Sequence, residues 1–224
     1  MRFIFFLFFA ALSANTAYFH PPKDWEIVDP KQLSPLVQVM FMGKAEDNFA
    51  PTINLAIEET DANLKEYFKG VKEFHKSNPE ETWRDLGKFS FRSGDGRLTE
   101  ITSPSPVGEI KMLQTIFVKN NTAYVMTAAV LKKDFLKHQS LILDSLRSLT
   151  IIPDLFSAIE QPEEKAKIET AFASLGQKTT PQEAQWEEWQ TLLGTSYSQM
   201  GEHWHFLALK EGWAKIHGQE SPCD

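Results

Sequence analysis

The chain has 224 residues, enough for one sizeable domain plus an appendage or for two small domains, and at 42% hydrophobic and 24% charged it has the composition of an ordinary globular protein. A formal charge of −7 argues against nucleic acid as a partner and gives no attraction to an anionic membrane surface. The single cysteine, Cys223, is the penultimate residue, so no intramolecular disulfide is available and the core must hold without one.

At the N-terminus, Met1-Arg2 precedes an unbroken apolar run of ten, Phe3 to Leu12, and then the small or polar residues Ser13 to Ala17. Ten residues are too few to span a hydrocarbon core, which takes about twenty. The order of a basic start, an apolar run and a small-residue stretch is that of a cleaved export signal, and cleavage after Ala14 or after Ala17 fits it. The expected mature protein is secreted or periplasmic, with no stable membrane insertion once residues 1–17 are removed.

Pro21-Pro22 begins the mature part in an extended edge conformation, with Trp25 expected to plug one end of the core. Leu36 to Met42 reads as a strand, and Thr52 to Glu59 alternates, with Ile53, Leu55 and Ile57 on one face. A helix is predicted from Leu64 to Ser77, its apolar stripe made of Leu64, Tyr67, Phe68, Val71 and Phe74, with Lys65, Lys69, Lys72 and Lys76 lining the opposite side. Asn78-Pro79 ends it. Trp83 to Ser93 reads as a strand with an irregularity at Leu86-Gly87, and Gly94-Asp95-Gly96 as the hairpin turn into Arg97 to Thr102. Glu109 to Thr150 is a hairpin, turning at Asn120-Asn121, that feeds a helix from Asp134 burying Phe135, Leu141 or Ile142, Leu146 and Leu149. Tight turns pair strands antiparallel, and two helices then cover the sheet, giving an α+β layered fold.

Beyond Pro153 the pattern turns helical. Leu155, Phe156 and Ile159 form a short turn that packs back, and a helix opens at Pro162-Glu163-Glu164 and stops at Gly176. Thr180-Pro181-Gln182-Glu183 reads as a capping box for a second helix. On it Trp186, Trp189, Leu193, Tyr197 and Met200 recur at steps of three and four, a series that Trp204 continues past a helix-weakening Gly201. Charge divides at the same place: Tyr18 to Pro153 carries 17 basic and 18 acidic residues, Asp154 to Asp224 carries 5 and 12. The chain thus reads as a signal (1–17), an α+β domain (18–152) and an acidic, tryptophan-rich helical tail (153–224).

Within 18–152, four features resemble the PsbP-like superfamily, which includes the extrinsic photosystem II subunit, a nuclear Ran-binding import factor and bacterial exported proteins of the LpqN and DcrB types. They are Pro22 with Trp25 at the start, and Pro51-Thr52-Ile53 opening a strand before the first helix. The hairpin Gln114-Thr115-Ile116 with Tyr124-Val125-Met126-Thr127 and the closing Ser145-Leu146-Arg147-Ser148-Leu149 complete them. The likeness spans about Phe19 to Ile152 and lies in the order of core and turn positions. It implies an αβα sandwich for that stretch, from which the C-terminal helical appendage departs; the superfamily has no common catalytic residues, so it implies no activity. Members mostly bind other macromolecules.

The remaining motifs weigh against chemistry. His203-Trp204-His205 could ligate a metal from a strand, but in a helix the two imidazoles point apart, so no metal and no cofactor are expected. His138 lies beside an apolar stripe, no Gly-x-Ser-x-Gly elbow occurs, and Asn120-Asn121-Thr122 is explained by its turn. The function expected is a non-catalytic binding or assembly module for a protein partner, through Trp186, Trp189, Tyr197 and Trp204 of the tail or Lys65, Lys69 and Lys72 of the first helix. For the tail tryptophans the competing expectation is packing on the tail's own first helix. Two alternatives stand beside it: a small-molecule or lipid carrier with a pocket lined by Trp25, Trp83 and Phe89, and an exported hydrolase using His138 or His205.

Overall fold

The structure, a computed structural model, describes residues 15–45, 47–177 and 180–218; the apolar run Phe3 to Leu12, read from the sequence as part of an export signal, and Cys223 lie outside these. In chain order the elements are β1 (Thr16–Tyr18), β2 (Glu26–Ile27), β3 (Val37–Met42), β4 (Thr52–Glu59), α1 (Leu64–Lys76), β5 (Thr82–Phe91), β6 (Gly94–Ser103), β7 (Ile110–Lys119), β8 (Thr122–Leu131), α2 (Phe135–Arg147), β9 (Thr150–Ile152), α3 (Pro162–Ser174), α4 (Gln182–Ser196) and α5 (Glu202–His217). Seven strands form one antiparallel sheet in the order β2-β3-β4-β8-β7-β6-β5, and β1 pairs with β9 in a separate two-stranded ribbon.

The β7–β8 hairpin organises the sheet. Its arms pair from Ile110↔Leu131 to Lys119↔Thr122, and Asn120 and Asn121 close it at φ 51° and 57°, the left-handed pair such a turn requires. Alternation sends Leu113, Phe117, Tyr124, Met126, Ala128 and Val130 to one face, where Val39, Phe41, Ile53 and Leu55 join them beneath Ile142, Leu146 and Leu149. Ile142, not Leu141, is the buried member of that α2 pair; Leu141 is 49% exposed. On the other face α1 lies over β5 and β7, with Phe68 against Trp83 at 5.7 Å between ring centroids. The fold is therefore α+β, an antiparallel sheet with a helix layer on each side.

Two turn and face assignments differ from the sequence pattern. The β5–β6 turn is Arg92-Ser93, and Gly94, Asp95 and Gly96 belong to β6, paired with Phe91, Ser90 and Phe89. Gly96 is small because β7 passes close by: a Cβ there would overlap the Ile116 carbonyl oxygen and stand 2.7 Å from the Phe91 ring. In α1 the buried stripe ends on His75, not Phe74. His75 Nδ1–H donates to the Glu81 carboxylate at 2.7 Å, whereas Phe74 is 72% exposed.

The tail has its own core. Leu155 and Phe156 of a short 3-10 turn, Ile168 of α3, Trp189 and Leu193 of α4, and Trp204, Ala208 and Ile216 of α5 cluster together, apart from the core under α2. Gly201, at φ 88°, breaks the predicted long helix into α4 and α5, which fold back on each other. Thr180 does not cap α4; Pro181 stands at the N-cap with no side-chain bond, and the Thr180 carbonyl accepts from Gln185 Nε2 at 2.7 Å. No helix of the described residues is long and apolar enough to cross a membrane.

The N-terminal arm joins the two cores. Thr16, Ala17 and Tyr18 pair with Ile152, Ile151 and Thr150. With the period of two that a strand imposes, Ala17 and Phe19 enter the sheet core while Tyr18 enters the tail core.

Candidate functional site

Of the residues singled out from the sequence, Lys65, Lys69 and Lys72 are exposed. Asn63 sets their helix in place through a capping box: its Oδ1 accepts the N–H groups of Lys65 and Glu66, and the Glu66 carboxylate accepts the Asn63 N–H. Four- and three-residue steps then bring Lys65, Lys69, Lys72 and Lys76 onto one line along α1. Lys69 stands 3.7 Å from Glu73, a weak exposed pair; among the described residues Lys65, Lys72 and Lys76 have no ion-pair partner. The opposite edge of the helix is anchored: Tyr67 donates to Glu58 of β4, and burial together with that carboxylate pushes the phenol well above its ordinary value. The α1 surface is thus a rigidly mounted row of cations.

The tail aromatics are largely core, which corrects the expectation that they form a partner face. Trp189, Tyr197 and Trp204 are at most 1% exposed. Each polar end is tied down: Trp189 Nε1–H donates to the Ala208 carbonyl at 3.0 Å, Trp204 Nε1–H to the Leu155 carbonyl at 3.0 Å, and Tyr197 O–H to the Glu164 carbonyl at 2.8 Å. Trp186 is half-buried, edge-to-face with Trp213 at 5.2 Å. The repeat of three and four marks a buried stripe, as a helix inside its own small core requires.

The carrier pocket does not assemble. Trp25 and Phe89 sit in the core under α2, but Trp83 lies on the other face beneath α1. The cause is the bulge at Leu86, where the β5–β6 register shifts between Asp85 and Gly87. An extra residue in a strand reverses the facing of everything beyond it, so Trp83 and Phe89 point to opposite sides although both are odd-numbered. Recesses form elsewhere, among them one of about 250 Å³ in the tail beside Leu175, Gln185 and Trp189.

The histidines proposed for chemistry hold structure. The His138 ring lies edge-on to Trp25 at 6.5 Å, and His205 Nε2–H donates to the Tyr197 carbonyl at 2.7 Å. His203, one residue before Trp204 and 1% exposed, faces the other way, toward the sheet. Its Nδ1 accepts the Phe19 N–H at 3.2 Å, so the ring proton sits on Nε2. Phe19 and Phe41 pack edge-on to it at 4.9 and 6.0 Å. Burial first, then the neighbouring His20, lower its pKa from 6.5 to about 3. Sequence reasoning missed this seam. The available clue was Tyr18-Phe19-His20, an aromatic triplet directly after residues 1–17.

No family model and no curated protein matches the chain. Among solved structures it is similar to LpqN of Mycobacterium tuberculosis, involved in cell envelope biogenesis, at 14% identity over 65% of this chain and 88% of that one, with a TM-score of 0.48. Cyanobacterial PsbP of Synechocystis is similar at 17% identity over 63% and 95%, TM-score 0.43. The Ran-binding protein Mog1p of Saccharomyces cerevisiae is similar at 13% identity over 62% and 96%, TM-score 0.43. These are proteins of the kinds that the element order resembles. The likeness is distant.

Proposed function

We propose that this chain is an exported, non-catalytic binding module that recognises a protein partner through the lysine row of α1. The observation that carries the reading is the arrangement of Lys65, Lys69, Lys72 and Lys76 on a helix fixed to the sheet by Tyr67, Phe68 and His75. Exposed cations on a rigid mount attract and orient an acidic partner without first having to be ordered. With Trp189, Tyr197 and Trp204 withdrawn into the tail core, α1 is the remaining candidate surface among those read from the sequence.

Support for export is the sequence of residues 1–17. Of the two cleavage positions, the one after Ala14 leaves β1 whole, whereas cleavage after Ala17 deletes Thr16 and Ala17 from the ribbon with β9. Intact mass of the protein recovered from its own host decides between a start at Asn15 and one at Tyr18.

The binding reading is tested by crosslinking the full chain in its host and comparing it with K65E/K69E/K72E. The variant should lose the captured partner while keeping its circular dichroism, because all three side chains are exposed. Capture of the same partner with equal yield by the variant overturns the assignment to α1.

A further inference from the structure

The seam between the sheet and the tail is narrow, and a histidine stands in it. On the sheet side are Phe19 and Phe41; on the tail side are His203 and, just before α5, Gly201. His20 closes over Gly201, where an added Cβ would stand 2.6 Å from His20 Nδ1, and the His20 N–H is held by Ser148 Oγ at 2.7 Å. The arm Tyr18-Phe19-His20 runs along this seam, and it is tied to α5 by the bond from Phe19 N–H to His203 Nδ1.

We infer that this seam is an acid-sensitive latch: protonation of His203 releases the helical tail from the sheet. The neutral ring offers Nδ1 as an acceptor to Phe19. The protonated ring is a donor at both nitrogens, so at Nδ1 two N–H groups would face each other in a dry site. The groups around the ring give the added charge no relief. Phe19 and Phe41 are apolar, His20 is a second imidazole, and Arg92 acts on His20 with the same positive sign. On α5 itself, Glu202 is exposed to solvent and His205 is bound to the Tyr197 carbonyl. Opening restores water to the imidazolium.

The direction in pH follows from the two states. In the closed state the ring stays neutral down to about pH 3, and in the open state it returns to an ordinary value near 6.5. The closed state keeps its full advantage above pH 6.5 and loses it progressively below, about tenfold in the opening equilibrium for each pH unit.

Amide hydrogen exchange of the full chain reads this directly. Between pH 6.5 and 4.5, protection of β1 and of the first turn of α5, corrected for intrinsic exchange, should fall about fiftyfold while β7 and β8 keep theirs. Unchanged protection of β1, or a parallel fall in β7 and β8, overturns the latch. The variant H203N places Oδ1 where Nδ1 stands and cannot take up a proton; its β1 protection should vary far less across the range, keeping only the smaller contribution of the half-buried His20, and a wild-type pH dependence in it overturns the proposal. Should H203N fail to fold, ring nitrogen shifts of the wild type decide. A His203 that is neutral with its proton on Nε2 at pH 5 supports the latch, and one that titrates near its ordinary value while β1 stays protected refutes it.

Discussion

In the sheet core, side chains from β3, β4, β7 and β8 that are aliphatic or phenyl, apart from the Tyr124 phenol, meet the inner face of α2, and the polar backbone is consumed in strand ladders. In the tail core the large residues are Trp189, Tyr197 and Trp204, and each carries a polar end that finds a carbonyl on a different element: α5, α3 and the turn at Leu155. A sheet defines its own geometry through register, so its core needs only shape and apolarity. Three short helices define no register with one another. Here the indole and phenol hydrogen bonds supply it, by tying α4 to α3 and α5, and α5 to the turn before α3.

The largest test of that contrast is Trp204→Ala. Removing a fully buried indole costs about 3–5 kcal/mol, and it also frees the Leu155 carbonyl. Thermal unfolding by circular dichroism should then split, with helical signal lost first and the sheet persisting. Loss of both signals in one transition would mean that the arm couples the cores too tightly for the distinction to hold.

A matched pair of glycine substitutions comes next. Gly96 of the sheet and Gly212 of the tail each lie where a Cβ would overlap a neighbour, but at Gly96 the neighbour is the Ile116 backbone oxygen and at Gly212 it is the Trp189 indole. Overpacking costs about 1–3 kcal/mol. Gly96→Ala should fall at the upper end, since a ladder cannot shift without losing register, and Gly212→Ala lower, since moving the Trp189 ring breaks its one bond to Ala208 but no strand pairing. Denaturant midpoints check the order, and the reverse order would show the tail core to be the stiffer of the two.

Thr115→Val probes the sheet core from the opposite side. Thr115 is fully buried between Leu98 and Met126, and its hydroxyl has no hydrogen-bond partner among the described residues. Replacing it should raise the stability by about 1 kcal/mol, read as a higher denaturant midpoint. The smallest effect is expected for K65E/K69E/K72E, within about 0.5 kcal/mol of wild type, because the lysine row contributes nothing to either core.

The sheet was legible because alternation and turn chemistry act locally: Asn120-Asn121, the ten-residue arms and the α2 stripe all follow from neighbours in sequence. Where the pattern misled, a partner distant in sequence had decided the outcome. Gly94 and Gly96 carry the composition of a turn, but β7 passing alongside is what demands their smallness. Phe74 is the more apolar residue, yet Glu81 gives His75 a carboxylate to bind, and His75 takes the buried position. The irregularity at Gly87 was readable in the sequence; its effect was to separate Trp83 from Phe89 and dissolve the pocket they were expected to share. The lysine row was visible from spacing alone, whereas the His203 seam depends on Phe19, 184 residues away.

That distance has a consequence for how the protein is made. The first strand of the folded chain finds its partner only at Ile151 and its buried bond only at His203. Contacts so far apart in sequence form late and slowly. An N-terminal arm that emerges first therefore waits for β9 before it can pair, and for α5 before its buried bond can form. The sheet can close around β7 and β8 in the meantime, but the tail cannot be fastened early. The stitch between β1 and α5 is thus among the last that the fold can make.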